Sequence, residues 1–408
     1  MMRWWLSRLT AVLLAASLGA TPAAAQRWVG SWATSQQIPE PHNMLPDDQL
    51  RDMTLRQVVR LTLGGESIRV RLSNAFGTEP LAVDNVHVAL SDGGGARIVA
   101  GTGRAVTFAG HRTVVIPAGA DYLSDPVDLA VPALTSLAVT MHLPEPPARQ
   151  TGHPGSRIDS WLLRGVHSDA VDLPGAAKID HWYQLGGIDV EARGREAAIV
   201  LFGDSITDGY GVTGGANNRW PDFLAQRLQA APQTRHLSVL NHGISGNRML
   251  RDGLGPSALA RFDRDVLSQA GVRYLVILEG VNDLGVLTRG APATPEQHEA
   301  LVRGVVGAYA QMVRRARERG IRVIGATILP FAGSDYYHPG PPTEASRQAI
   351  NAWIRTPGNF DAVIDFDAAM RDPDRPDRIR PDYDLDGLHP SIAGYRAMAD
   401  AVPLELFR

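Results

Sequence analysis

A serine, a histidine and an aspartate can together cleave an ester, and this 408-residue chain carries one of each where they could meet. Ser205 lies in Gly203-Asp204-Ser205-Ile206-Thr207, directly after the apolar run Ala197-Ala198-Ile199-Val200-Leu201-Phe202. A serine at the carboxyl end of a buried strand sits on a rigid scaffold, within reach of a base from another loop. That base can come from the far end of the chain, where Asp386-Gly387-Leu388-His389-Pro390 places an acid and a histidine three residues apart. The imidazole would take the hydroxyl proton, and the carboxylate on its other nitrogen would fix the tautomer. The chain has no cysteine, which excludes disulfides, thiol nucleophiles, cysteine metal sites and lipid attachment at a processed cysteine.

Two kinds of pattern must position these groups. From Trp28 to about Leu173 the apolar period is two: Val59, Leu61 and Leu63, then Ile68, Val70 and Leu72 across Gly64-Gly65, read as a hairpin. Alternation recurs at Val86 to Leu90 and Leu137 to Leu143, with turn residues between the runs, as in a β-sandwich of jelly-roll type. From about Ala197 onward, apolar strands at Ala197–Phe202, Leu237–Leu240, Tyr274–Leu278, Val323–Ile328 and Ala362–Phe366 alternate with helical stretches at Pro221–Gln229, Pro295–Arg319, Glu344–Ile354 and Ile392–Ala401. That alternation implies α/β architecture with a parallel sheet and helices on both faces. Ligands bind beyond the carboxyl ends of such strands. Ser205, the Asn241 to Gly246 stretch and Gly280-Val281-Asn282-Asp283 all fall at strand ends, so three ends converge on one rim.

Residues 1–25 read as a leader: Arg3 and Arg8 precede the apolar Leu9 to Leu18, and Ala23-Ala24-Ala25 precedes Gln26. The apolar run is too short to span a bilayer, so a cleaved signal peptide, with export to the periplasm or the medium, is the expectation; an uncleaved anchor is the alternative. The expected organisation is therefore a signal peptide over 1–25, a β-sandwich accessory domain with its connecting segment over 26–190, and a catalytic domain over 191–408. The formal net charge is -3, and losing Arg3 and Arg8 makes it more acidic. Nucleic acid, which needs a basic face, is not an expected partner.

Gly203-Asp204-Ser205, Asn241-x-x-x-Ser245-Gly246, Gly280-x-Asn282-Asp283 and Asp386-x-x-His389 resemble, in order, the four consensus blocks of the SGNH hydrolases, the GDSL esterase and lipase family. The resemblance covers the carboxyl-terminal half. Trp28-Val29-Gly30-Ser31-Trp32-Ala33 and the β-rich stretch after it also resemble the amino-terminal domain of a secreted bacterial subgroup. The resemblance implies a three-layer α/β/α fold, Ser205 as nucleophile, His389 as general base and Asp386 as orienting acid. It also implies an oxyanion hole from the backbone N–H groups of Ser205 and Gly246 and the side chain of Asn282.

Each residue also has a plainer reading. Ser205 could simply cap a helix after a strand. Asp204 and Asp283 are read as structural, bonding loop backbone, and Asn241 and Ser245 as turn formers. His242 lacks an acid at a matching spacing and is read as a structural or pocket-lining histidine. Asp382-x-Asp384-x-Asp386-Gly387 opens like a calcium loop, but position twelve is Ala393 and no helix precedes it. The alternating charges of Arg371 to Arg380 read as a solvated, self-compensating loop, and Gly209 to Gly215 as a flexible active-site loop. Neither a zinc triad, a Walker lysine nor a Gly-x-Gly-x-x-Gly fingerprint occurs, so no cofactor and no metal are expected. Thr207 breaks the Gly-x-Ser-x-Gly elbow of α/β-hydrolases.

The function expected is that of a secreted serine esterase acting on acetyl or short-chain esters, foremost on carbohydrates, through an acyl-enzyme. Its partner is a small-molecule or polysaccharide ester, with no stable membrane insertion, and nothing here fixes an oligomeric state. Arylesterase or lipid acylhydrolase activity is the alternative within the family. A non-catalytic carbohydrate-binding protein on the same scaffold is the alternative of another class.

Overall fold

The computed structural model describes residues 26–93 and 95–408, so the leader expected over 1–25 lies outside the described residues. The carboxyl-terminal half is built on a parallel sheet whose strands stand in the spatial order Leu237–Gly243, Ala197–Gly203, Val272–Leu278, Arg322–Ala326, Ala362–Ile364. Numbered along the chain this is 2-1-3-4-5, so the order reverses between the Ala197 and Val272 strands. Side chains of Ala197–Gly203 are buried throughout, as a strand covered on both faces requires.

The helices follow from local signals. Pro295–Glu318 starts at a capping box in which the Thr294 hydroxyl accepts the Gln297 N–H and the Gln297 side chain accepts the Thr294 N–H, with proline in the first turn. Its buried residues Val305, Ala308, Tyr309, Met312, Val313 and Ala316 recur at helical spacing. The last sheet strand is shorter than the apolar run implied. Asp365 accepts the Ala368 N–H and caps a short helix, Phe366–Met370, that takes Phe366 out of the strand.

Ahead of this domain lies a β-rich, multi-sheet one, all antiparallel. One sheet is ordered Arg27–Ala33, Leu185–Ala192, Gly65–Ser73, Asp121–Leu123, with Val127–Val131 also on Gly65–Ser73. A second runs Ala177–Ile179, Ser160–Arg164, Met53–Arg60, Ser136–Leu143, Leu81–Leu90, Arg104–Ala105. Gly152–His153 pairs with Trp182–Tyr183 in a small ribbon. The hairpin expected across Gly64-Gly65 does not form. Met53–Arg60 and Gly65–Ser73 belong to different sheets, because the chain between them crosses from one to the other. Thr62 fixes that crossing: it donates to Ser31 O at 2.7 Å and accepts from Val239 N at 2.9 Å, a strand of the parallel sheet. Gly30 packs beside the same strand, where a Cβ would stand 2.9 Å from Leu240 Cδ1.

Candidate active site

Ser205 opens a one-turn helix, Ser205–Asp208, at the end of the Ala197–Gly203 strand. Asp204 is the N-cap; its Oδ1 accepts the Ile206 N–H at 3.0 Å. Gly203 must lack a side chain, since a Cβ there would lie 2.3 Å from Thr207 Oγ1 and 2.6 Å from Leu278 O. Thr207, which broke the α/β-hydrolase pattern, therefore packs onto the glycine that begins the block.

The serine hydroxyl and imidazole meet: Ser205 Oγ lies 2.9 Å from His389 Nε2, both residues buried. His389 Nδ1 lies 2.9 Å from Asp386 Oδ2 and 3.2 Å from Oδ1. Asp386 Oδ1 also accepts the N–H groups of Leu388 and His389 at 3.1 and 2.8 Å. Burial pushes the Asp386 carboxyl up, but the bonds from the His389 ring and from these backbone groups outweigh it and hold the carboxyl below its ordinary range. An ionised Asp386 keeps hydrogen on Nδ1, leaving the Nε2 lone pair facing the hydroxyl. Tyr210 lies over the imidazole, ring centroids 4.2 Å apart.

Gly246 and Asn282 border the same cavity, of about 830 Å³, as Ser205 and His389. Gly246 has φ +74°, a left-handed turn that favours glycine. Asn282 is the second residue of the helix Val281–Thr288, which follows Gly280 with φ +107°. Its Nδ2 donates to Asn247 O at 2.8 Å, leaving one hydrogen over, while its Oδ1 accepts the Tyr337 hydroxyl at 2.6 Å. Burial raises the Tyr337 phenol, which stays a donor. Ser205 and Asn282 thus follow the two strands between which sheet order reverses, where open α/β sheets take ligands.

The residues read as structural are well occupied. Asp283 accepts Met249 N at 2.7 Å and Leu250 N at 3.1 Å, tying the second-block loop to the third. Burial lifts its carboxyl to about 6 despite those bonds. Asn241 lies on a strand rather than in a turn; it donates to Thr207 O and accepts Gly243 N. His242 is buried and away from the cavity, its Nδ1 3.1 Å from Ser35 Oγ, and burial drops it to about 3, too low for a general base at neutral pH. Asp384, of the calcium-like spacing, accepts Gly387 N at 2.7 Å and shapes the turn that carries Asp386 and His389.

Sequence reasoning missed three features. Arg261, on the short helix Ala258–Phe262, is buried beneath the rim. It donates to Gly203 O at 2.9 Å, His242 O at 2.8 Å, Asn247 Oδ1 at 2.9 Å, Asp265 Oδ2 at 3.1 Å and Glu279 Oε1 at 3.3 Å, so one guanidinium joins three active-site loops. Around it burial raises Asp204 and Glu279, whereas Asp265, held by Arg264 and Arg261, stays low. Tyr337 is the second. The third is the Arg371 to Arg380 loop, which is more than solvated charge: Arg375, Arg378 and Ile379 form part of the cavity wall.

Residues 201–397 match the model of the GDSL-like Lipase/Acylhydrolase family, so this stretch of the chain is a GDSL-like domain. A curated relative, the uncharacterized lipoprotein YqeF of Bacillus subtilis (strain 168), is 32% identical over 154 residues, covering 36% of this chain and 54% of its own length. Among solved structures, a GDSL-like lipase from Bacteroides thetaiotaomicron VPI-5482 is 23% identical over 52% of this chain and 87% of its own, with a TM-score of 0.39. An acetyl xylan esterase is 19% identical over 50% of this chain and 96% of its own, with a TM-score of 0.37. No helix among the described residues is long and apolar enough to cross a membrane.

Proposed function

We propose that the chain is a serine esterase in which Ser205 attacks the acyl carbon, His389 is the general base and Asp386 orients it. The observation that carries this reading is the unbroken line of contacts, Ser205 Oγ to His389 Nε2 at 2.9 Å and His389 Nδ1 to Asp386 Oδ2 at 2.9 Å. In the first step the Oγ proton passes to Nε2 as Oγ bonds the ester carbon. The tetrahedral oxyanion takes hydrogen bonds from Ser205 N, Gly246 N and the spare Asn282 Nδ2 hydrogen, each worth about 3 kcal/mol in the transition state. Collapse expels the alcohol oxygen, which leaves with the proton from Nε2, and an acyl-Ser205 remains. Water then repeats the sequence, releasing the acid.

The substrate class that fits best is a short acyl ester on a carbohydrate. The cavity is wide, and Tyr336, Tyr210 and Leu254 stand 60%, 43% and 43% exposed around it, flat or small apolar faces of the kind a sugar ring covers. Arg375, Arg378 and Asp335 add charged groups to its wall, suited to hydroxyls and ill suited to a long alkyl chain. The leader-like segment 1–25 supports action outside the cytoplasm. The test compares acetylated oligosaccharides with 4-nitrophenyl acetate and a long-chain ester. Acetyl sugars should be hydrolysed, long-chain esters at least about 10-fold less efficiently, and Ser205→Ala should lose nearly all turnover. A Ser205→Ala protein as active as its parent would falsify the nucleophile assignment.

A further inference from the structure

The turn that carries Gly246 is anchored by a carboxylate outside the four blocks. Asp208 Oδ2 accepts the Ser245 N–H at 3.1 Å and the Ser245 hydroxyl at 2.6 Å. Its other oxygen, Oδ1, lies 2.9 Å from Nε2 of His153, which belongs to the Gly152–His153 ribbon of the β-rich region. His153 Nδ1 lies 2.9 Å from Ser35 O, a carbonyl that can only accept. Burial pushes the Asp208 carboxyl up, but His153, Arg157 and Arg219 outweigh burial and keep it ionised. Acceptors thus face both ring nitrogens of His153, and its contact with the Asp208 carboxylate lies in a site where their side chains are only 4% and 3% exposed. The packing leaves no slack, since a Cβ on Gly155 would stand 2.1 Å from Asp208 Oδ2. Arg157 comes from the same stretch, donating to Ser245 Oγ at 3.3 Å and lying 5.7 Å from the Tyr210 ring that covers His389.

We infer that His153 is a positioning residue for ester hydrolysis: through Asp208 and Ser245 it holds the Gly246 N–H at the oxyanion, so the β-rich region completes the active site. This rests on the role proposed above for Gly246. A donor that drifts by about 1 Å can cost about 100-fold in rate, and the loss falls on the transition state rather than on substrate binding.

The experiment uses the chain from Gln26 onward, 4-nitrophenyl acetate, and the variants Ser205→Ala, His153→Ala, His153→Gln, Ser245→Ala and His153→Ala/Ser245→Ala. Circular dichroism and melting temperature monitor folding. His153→Ala should lower kcat by about 10- to 100-fold with KM within about twofold, and should weaken a boronic acid, whose Ser205 adduct places an oxygen at the oxyanion, by a similar factor. His153→Gln, which keeps one N–H donor, should recover part of the rate. The double variant should lose no more than about the worse single variant, since both residues act through Asp208. A folded His153→Ala protein with kcat within about threefold of the parent, or kcat losses that multiply in the double variant, overturns the inference. Should His153→Ala fail to fold, Ser245→Ala and His153→Gln decide, and unimpaired kcat in both overturns it. Turnover by Ser205→Ala sinks the reading of the site itself, whereas an inactive Ser205→Ala beside an unimpaired His153→Ala sinks only the positioning role.

Discussion

The Tyr337 hydroxyl donates to Asn282 Oδ1 at 2.6 Å, and that bond decides which way the amide faces. With Oδ1 engaged and one Nδ2 hydrogen on Asn247 O, the second Nδ2 hydrogen is the free donor of that side chain. Tyr337→Phe removes the orienting bond but leaves the Asn247 anchor, so kcat should fall about 10-fold, against about 10²- to 10³-fold for Asn282→Ala. Steady-state kinetics on an aryl acetate measure both. A Tyr337→Phe enzyme with parental kcat would mean that Asn247 alone fixes the amide.

Asp386→Asn replaces an acceptor with a group that can donate to Nδ1, which favours the tautomer with hydrogen on Nε2, the wrong one for taking a proton from Ser205. The expected result is a fall in kcat of about 10³- to 10⁴-fold. A loss carried solely by KM would count against the orienting role.

The Asp283 carboxyl, raised by burial from 3.8 to about 6, makes stability depend on pH in a definite direction. Below pH 3.8 the group is protonated whether the chain is folded or not, and its contribution is complete. As pH rises toward 6 the unfolded chain loses its proton first, and the contribution is lost. Asp283→Asn removes this dependence. The urea-derived stability of the variant relative to the parent should therefore increase between pH 4 and pH 6.5, by on the order of 2 kcal/mol. A constant difference across that range would show that Asp283 ionises normally in the fold.

Arg261→Met leaves the surrounding acids without their shared cation. Losing one partner of a buried pair costs about 3–5 kcal/mol. Because burial raises Glu279 toward its neutral form, Glu279→Gln should cost less, about 1 kcal/mol. Chemical denaturation compares the two; equal losses would mean that Glu279 is an ionised partner of Arg261.

Legibility followed locality. The parallel sheet was readable because each strand is one apolar run with a helix after it, and Asp386 with His389 because three residues separate them on one turn. The Phe366 helix was hidden inside an apolar run, with only Asp365 to mark its start. The Gly64-Gly65 hairpin failed because the same turn residues serve a crossing between sheets, and the deciding contacts of Thr62 are to Ser31 and Val239. Arg261, Tyr337 and His153 left no signal: each is tied to the site by side-chain bonds to residues distant in sequence, such as Asn282 for Tyr337 and Asp208 for His153. A buried arginine is conspicuous only once the acids around it are in place.

The stretch Gly152 to Arg157 gives the boundary between the two halves a practical meaning. A carboxyl-terminal half cut out at Ala197 would keep Ser205, Gly246, Asn282, Asp386 and His389, yet it would leave Asp208 without His153 and Arg219 without the Gly155 and Ser156 carbonyls it grips. Under the role inferred for His153, replacing the β-rich region should therefore lower turnover, unless the replacement brings its own hydrogen-bond donor to the same carboxylate.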